Sequence, residues 1–179
     1  MFFKKNKLFI AAVVVFLLVL IFLVPSFTKP QSDGNSAGET APKTGAFAPE
    51  FVLDGLDGKE YKLSDFQGNV VIVNFWTTWC RFCLDEMPYL EALHLSQDDV
   101  IVLAVNVNEG RSDVKMFIEE QGFTFPVLLD LEGEVFTNYR IRAYPTTFAI
   151  SPEGIISSIK VGAFDAAGLN QLVESARNY

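Results

Sequence analysis

One histidine and two cysteines occur in 179 residues. A zinc site built on the cysteines would need two more Cys or His ligands, and His94 is the one candidate, so a metal centre is not expected. Basic side chains are also scarce, 14 against 22 acidic, for a formal net charge of -8. No basic patch offsets phosphate repulsion, which argues against a nucleic-acid partner. The same acidity should keep the folded part off anionic lipid and does not steer acidic clients toward it. No internal repeat is present. Half the residues are apolar, so a single domain with a substantial core is expected.

Residues 8–24 form an unbroken apolar run, LFIAAVVVFLLVLIFLV, at the short end of what spans a bilayer. Lys4, Lys5 and Lys7 precede it and set residues 1–7 on the cytoplasmic side. A cleaved signal peptide is the rival reading, but no small-x-small site follows the run, and no cysteine follows it for lipid attachment. The expectation is a retained transmembrane anchor at 8–24, a flexible linker at 25–45 and a domain at 46–179. That domain would lie outside the cytoplasm, where disulfides persist.

Phe51-Val52-Leu53 and Glu60-Tyr61-Lys62 flank Asp54-Gly55-Leu56-Asp57-Gly58, which reads as a hairpin. Residues 64–69 read as a short helical turn or loop. Residues 70–75 are too uniformly apolar for an exposed strand and suggest a central parallel one. A helix over 82–95 contains Pro88, which should kink it. A buried strand follows at 100–107. A helix is capped by Ser112-Asp113 and buries Val114, Phe117 and Ile118. A strand at 125–129 and a short helix at 134–139 follow. Strands at 146–150 and 155–161 join through Ser151-Pro152-Glu153-Gly154, and a closing helix spans 165–176. The order predicts an α/β sandwich, a mixed sheet with helices on both faces.

The two cysteines sit in Trp79-Cys80-Arg81-Phe82-Cys83, directly after the apolar strand and at the start of a helix. This spacing can close a small disulfide loop. Free N–H groups and the helix dipole favour a thiolate on the first sulfur. Cys80 is therefore the candidate nucleophile and Cys83 the resolving thiol, with Arg81 adding positive charge. A purely structural bridge is the alternative, although a loop this short removes little chain entropy. Trp79 should flank the site, Trp76 reads equally as core, and His94 reads as a surface histidine.

Residues from Val73-Asn74-Phe75-Trp76 through Cys83-Leu84-Asp85-Glu86-Met87-Pro88, together with Tyr144-Pro145-Thr146-Thr147, resemble the thioredoxin-fold superfamily. More narrowly they resemble its membrane-anchored ResA/TlpA-type thiol–disulfide oxidoreductases. The segments Val105-Asn106-Val107-Asn108-Glu109 and Phe125-Pro126-Val127-Leu128-Leu129-Asp130 resemble that group's central αβ insertion. The resemblance implies a thioredoxin-like sandwich with an N-terminal hairpin and no cofactor. It implies a cis bond before Pro145 beside the disulfide, so that the backbone of Tyr144 can pair with an extended substrate. It also implies an active-site acid at Glu86, one turn beyond Cys83, and a second acid near the substrate groove at Glu109. Asn74 stands where plain thioredoxins keep a buried Asp, which leaves Glu86 as the acid–base candidate. Arg81-Phe82 replaces the Glu-Pro common in the group, and residues at this place tune the reduction potential.

The function implied is an extracytoplasmic reductase of disulfides in apocytochrome c, recharged by a membrane thiol–disulfide donor of the CcdA/DsbD type. Reduction of spore-envelope or other extracytoplasmic proteins, and disulfide formation, are alternatives within the same chemistry. Peroxide reduction is a further alternative, which peroxide turnover by the domain would check. A non-catalytic module holding a client or haem, with the disulfide as a staple, is the alternative of another class.

Overall fold

The structure is a computed structural model and describes residues 38–179. The expected anchor and most of the expected linker lie outside the described residues. Among the described residues no helix is long and apolar enough to cross a membrane.

Seven strands form one mixed sheet in the order β2-β1-β5-β4-β3-β6-β7. They are β1 (Val52–Gly55), β2 (Glu60–Lys62), β3 (Val70–Trp76), β4 (Val100–Val107), β5 (Val127–Asp130), β6 (Thr146–Ile150) and β7 (Ile156–Val161). The helices are α1 (Arg81–Ser96), α2 (Arg111–Gln121), α3 (Glu134–Asn138) and α4 (Ala166–Arg177). A 3-10 turn at Leu63–Phe66 matches the expected short turn. Every residue of β3 is buried, as its unbroken apolar sequence requires of an interior strand. It pairs parallel with β4 on one side and antiparallel with β6 on the other.

Alternate residues of β3 serve opposite faces because side chains alternate across a strand. Ile72 and Trp76 pack with Met87 and Leu90 of α1 and Leu172 and Val173 of α4. Val71, Val73 and Phe75 pack with Leu103, Tyr139 and Phe148 on the other face. Each such buried large apolar side chain contributes roughly 1.5–3 kcal/mol. This two-faced core fixes the carboxyl ends of β3 and β4 together, and the candidate site is built there. The N-terminal hairpin joins the sheet through β1 and β5, so the central insertion (α2 and β5) connects it to the rest.

Element ends shift by a residue or two in several places, as in β5 at Val127–Asp130 rather than 125–129, and two differences from the sequence reading involve long-range bonds. The helix expected to be capped by Ser112-Asp113 starts one residue earlier and has Gly110 as its N-cap, with no side-chain cap bond. The guanidinium of Arg111, its first residue, donates to the carbonyl of Gly55 at 2.9 Å. That long-range tie recruits Arg111 into the helix and moves Ser112 and Asp113 inside it. The last part of the expected linker is also bonded to the domain: the Gly45 N–H donates to the Ile156 carbonyl at 2.9 Å, and the Phe47 N–H donates to the Glu39 carbonyl at 2.9 Å. The small and polar residues there hide this pairing, because only their backbone takes part. Helix α1 runs continuously through Pro88.

Candidate active site

Beyond β3 the chain turns through Thr77, Thr78 and Trp79 and enters α1 with Cys80 as its N-cap. Glu109, just past the end of β4, fastens this turn. Its carboxylate accepts from the Thr78 N–H at 2.7 Å, the Thr78 hydroxyl at 2.5 Å and the Asn106 amide at 2.6 Å. Glu109 is therefore neither a free surface charge nor adjacent to the sulfurs by its own bonds. It braces the loop that presents them. Glu109→Ala is expected to lower stability by roughly 2 kcal/mol, because charged hydrogen bonds are lost and the buried Asn106 amide is left without this partner. Urea unfolding at neutral pH reads this as a lower midpoint with an unchanged slope.

Cys80 and Cys83 are joined in a disulfide. Cys83 is fully buried, whereas Cys80 is 7% exposed, so a partner sulfur has access only to Cys80. The Cys83 N–H, which also donates to the Cys80 carbonyl at 3.0 Å, reaches Cys80 Sγ at 3.2 Å, a first-turn donor shared with the sulfur that is to carry negative charge. Arg81 is exposed at the same helix start.

Aromatic side chains surround the bridge. Trp79 and Phe82 are 71% and 65% exposed, unusual for such large apolar groups. The Trp79 ring meets Tyr144 edge-on with centroids 5.8 Å apart, and Tyr144 in turn meets Phe136 at 5.7 Å. The bond between Tyr144 and Pro145 is cis. Burial first, and then the carboxylates of Asp130 and Glu109, raise the Tyr144 hydroxyl pKa above its ordinary value. Trp79, Tyr144 and Glu109 thus gather around the turn that carries Cys80. Trp76, by contrast, is fully buried and packs on Phe117, so it is core.

Glu86 lies one turn beyond Cys83 on α1 and is fully buried rather than solvated. Its Oε1 accepts from the Asn74 amide at 2.7 Å and its Oε2 from the Phe164 N–H at 3.3 Å. Burial raises its pKa to about 7, although the Asn74 and Phe164 bonds and the charge of Lys160 oppose the rise. A carboxyl held near neutrality can both take and return a proton at working pH. His94 takes no part: it is half-buried and lines a depression with Lys115, Thr124 and Phe125.

The sequence reading missed Thr78, Asn106, Thr147 and the Phe164 N–H. It noted Asn74 only as a residue that does not titrate. A single polar residue inside the apolar run of β3 was the available signal for Asn74. Nothing in the sequence marks the Phe164 N–H.

Residues 44–159 match the model of the AhpC/TSA family. The chain belongs to that family. It is 39% identical over 141 residues to the thiol-disulfide oxidoreductase ResA of Geobacillus thermodenitrificans, covering 78% of this chain and 81% of the relative. It is 36% identical over 161 residues to the ResA of Bacillus subtilis, covering 89% and 87%. Among solved structures it is similar to StoA from Bacillus subtilis, with a TM-score of 0.62 and 29% identity over 69% of this chain and 96% of that one. The thioredoxin-like α/β fold and the Cys80–Cys83 pair agree with these relatives, and the chain is a thiol–disulfide oxidoreductase.

Proposed function

We propose that this AhpC/TSA-family oxidoreductase works as an extracytoplasmic reductase of protein disulfides, with the haem-attachment disulfide of apocytochrome c as its client. The Cys80 thiolate attacks one client sulfur, and the client's other sulfur leaves as a thiolate and takes a proton. Cys83 then attacks Cys80 in the mixed disulfide, giving up its proton to the Glu86 carboxylate and releasing the second client thiol. The client gains two electrons, and the Cys80–Cys83 disulfide is formed. A membrane donor of the CcdA/DsbD type returns the pair to the dithiol, with residues 8–24 keeping the domain at the membrane. The observation that carries this reading is Glu86, buried one turn from Cys83 and poised near neutral pKa. A resolving thiol sealed from water needs such a nearby base.

The test is trapping in cells. Cys83→Ser should accumulate a mixed disulfide through Cys80, and the captured protein should be apocytochrome c. Capture of spore-envelope proteins alone would reassign the client while keeping the chemistry. Absence of any Cys80-linked adduct would sink the reductase.

A second reading is a disulfide-forming oxidase. It is favoured by the Cys83 N–H on Cys80 Sγ and by Arg81 beside it, because stabilising the thiolate makes the disulfide a stronger oxidant.

A further inference from the structure

Asn74 is fully buried on β3 between two partners. Its Nδ2 donates to Glu86 Oε1 at 2.7 Å and to the Thr147 hydroxyl at 2.8 Å, which uses both of its hydrogens. Its Oδ1 has no partner at all. A buried acceptor left unmade is costly, so it calls for an explanation. Thr147 sits directly opposite Asn74 in the β3–β6 register, which fixes this arrangement through the sheet rather than through a loop.

The arrangement suits one charge state of Glu86. A carboxylate accepts only, and Nδ2 supplies the donor it needs. A carboxylic acid keeps an acceptor oxygen but adds one O–H donor, and the partners of its two oxygens, Nδ2 and the Phe164 N–H, both donate, so its proton finds no acceptor at either contact. Turning the amide about its terminal bond exchanges Nδ2 and Oδ1 within almost the same volume. Oδ1 then accepts from the Glu86 hydroxyl. The Thr147 hydroxyl, which can accept or donate, reverses its own bond and donates to Oδ1.

We propose that Asn74 is a positioning residue for Glu86: its side-chain amide turns over as the carboxyl takes up or releases its proton, with the Thr147 hydroxyl reversing in step. The inference rests on reading Glu86 as the proton carrier for Cys83. It assigns the place where plain thioredoxins keep an acid to a neutral group that offers Glu86 a donor in one charge state and an acceptor in the other. Asp at this position would put two carboxyls at hydrogen-bond distance, where they would compete for one proton. The other groups facing Glu86 do not adapt in this way: the Phe164 N–H on the loop before α4 only donates, and Lys160 on β7 acts through its charge. On its own helix, Cys83 is locked in the disulfide in the oxidised protein.

The test is an NMR titration of the oxidised 38–179 domain within the full chain, from pH 5 to 9, labelled at Asn side-chain nitrogen and Glu carboxyl carbon. The Asn74 amide hydrogens should both move upfield as Glu86 protonates, with the same midpoint, because they leave their acceptors. Asn74→Leu should raise the Glu86 midpoint, weakening its acidity about tenfold, since a hydrogen bond to a charged group is roughly twice as strong as one to a neutral group. Thr147→Val, the second variant, should broaden or suppress the amide movement while Glu86 still titrates. Asn74 amide resonances that stay fixed while Glu86 titrates would overturn the proposal, as would a Glu86 midpoint unmoved by Asn74→Leu. These readouts do not involve turnover. A failure of Glu86 as the proton carrier appears separately, as an unchanged exchange rate in Glu86→Gln.

Discussion

Cys80→Ser is expected to abolish thiol–disulfide exchange, lowering the rate of reduction of a model disulfide by roughly 10³-fold or more. Cys83 cannot substitute for it, because its sulfur is fully buried and reaches only the other side of the bridge. The thiolate-stabilising contact also belongs to Cys80 alone, through the Cys83 N–H at 3.2 Å. Cys83→Ser should behave differently, performing the first attack at near-normal rate and stalling as a mixed disulfide. Stopped-flow mixing with a disulfide reporter separates the two variants. Loss of activity would not reflect unfolding, since closing so short a loop is worth only about 2 kcal/mol by the chain-entropy relation, and the core is untouched. If the double variant Cys80→Ser/Cys83→Ser complemented fully in cells, the disulfide would be a staple and the oxidoreductase chemistry would be irrelevant to the role.

Glu86→Gln should produce the second large effect, visible in both rate and stability. Loss of a positioned acid–base group costs typically 10²- to 10⁴-fold in the step it serves. Here that step is resolution by Cys83, so the first attack by Cys80 should be nearly unaffected. In the unaltered protein the resolving rate should rise with pH through about 7, where Glu86 becomes the carboxylate that accepts the Cys83 proton. The variant should lose that limb.

The stability effect follows from the same raised pKa. The folded carboxyl titrates at about 7 against an ordinary value of 4.5, so between these values the folded state binds more protons than the unfolded chain. Stability contributed at acidic pH is therefore lost as pH rises across that window. At about 1.4 kcal/mol per unit this amounts to roughly 3 kcal/mol. Urea unfolding of the oxidised protein should show the decline from pH 4.5 to 7.5, and Glu86→Gln should flatten it. A profile that rises over this range in the unaltered protein would contradict a raised Glu86 pKa.

Features carried by local pattern were legible in the sequence. The apolar runs located β3 and β4, the Pro152-Glu153-Gly154 turn located the β6–β7 hairpin, and Asp165 marked the start of α4, where its side chain accepts from the Gly168 N–H at 2.9 Å. Cys80 and Cys83 were legible because their spacing, at a strand-to-helix junction, has few other uses. The supports of the site were not legible. Thr78 meets Glu109 across the ends of two strands, and Asn74 meets Thr147 across the sheet from 73 residues away. Such bonds depend on strand register and helix docking, which a single sequence specifies only through the assembled core. The start of α2 was misplaced for the same reason, since Arg111 is drawn into the helix by a carbonyl on the distant β1.

Glu109 shows how role and position separate. The resemblance placed it near the substrate groove, and it does lie close enough to Tyr144 to raise that hydroxyl's pKa. Its three hydrogen bonds nevertheless go to Thr78 and Asn106, which makes it first a brace of the cysteine-bearing turn.

Arg81 and Phe82, exposed between the two sulfurs, are where the direction of electron flow is tuned. The reduction potential of the Cys80–Cys83 pair, measured at pH 7 by equilibrium with redox buffers, therefore tests the reductase account most directly. A value near or below about -270 mV is the predicted result, and a value near about -120 mV would contradict it by making the pair a donor of disulfides.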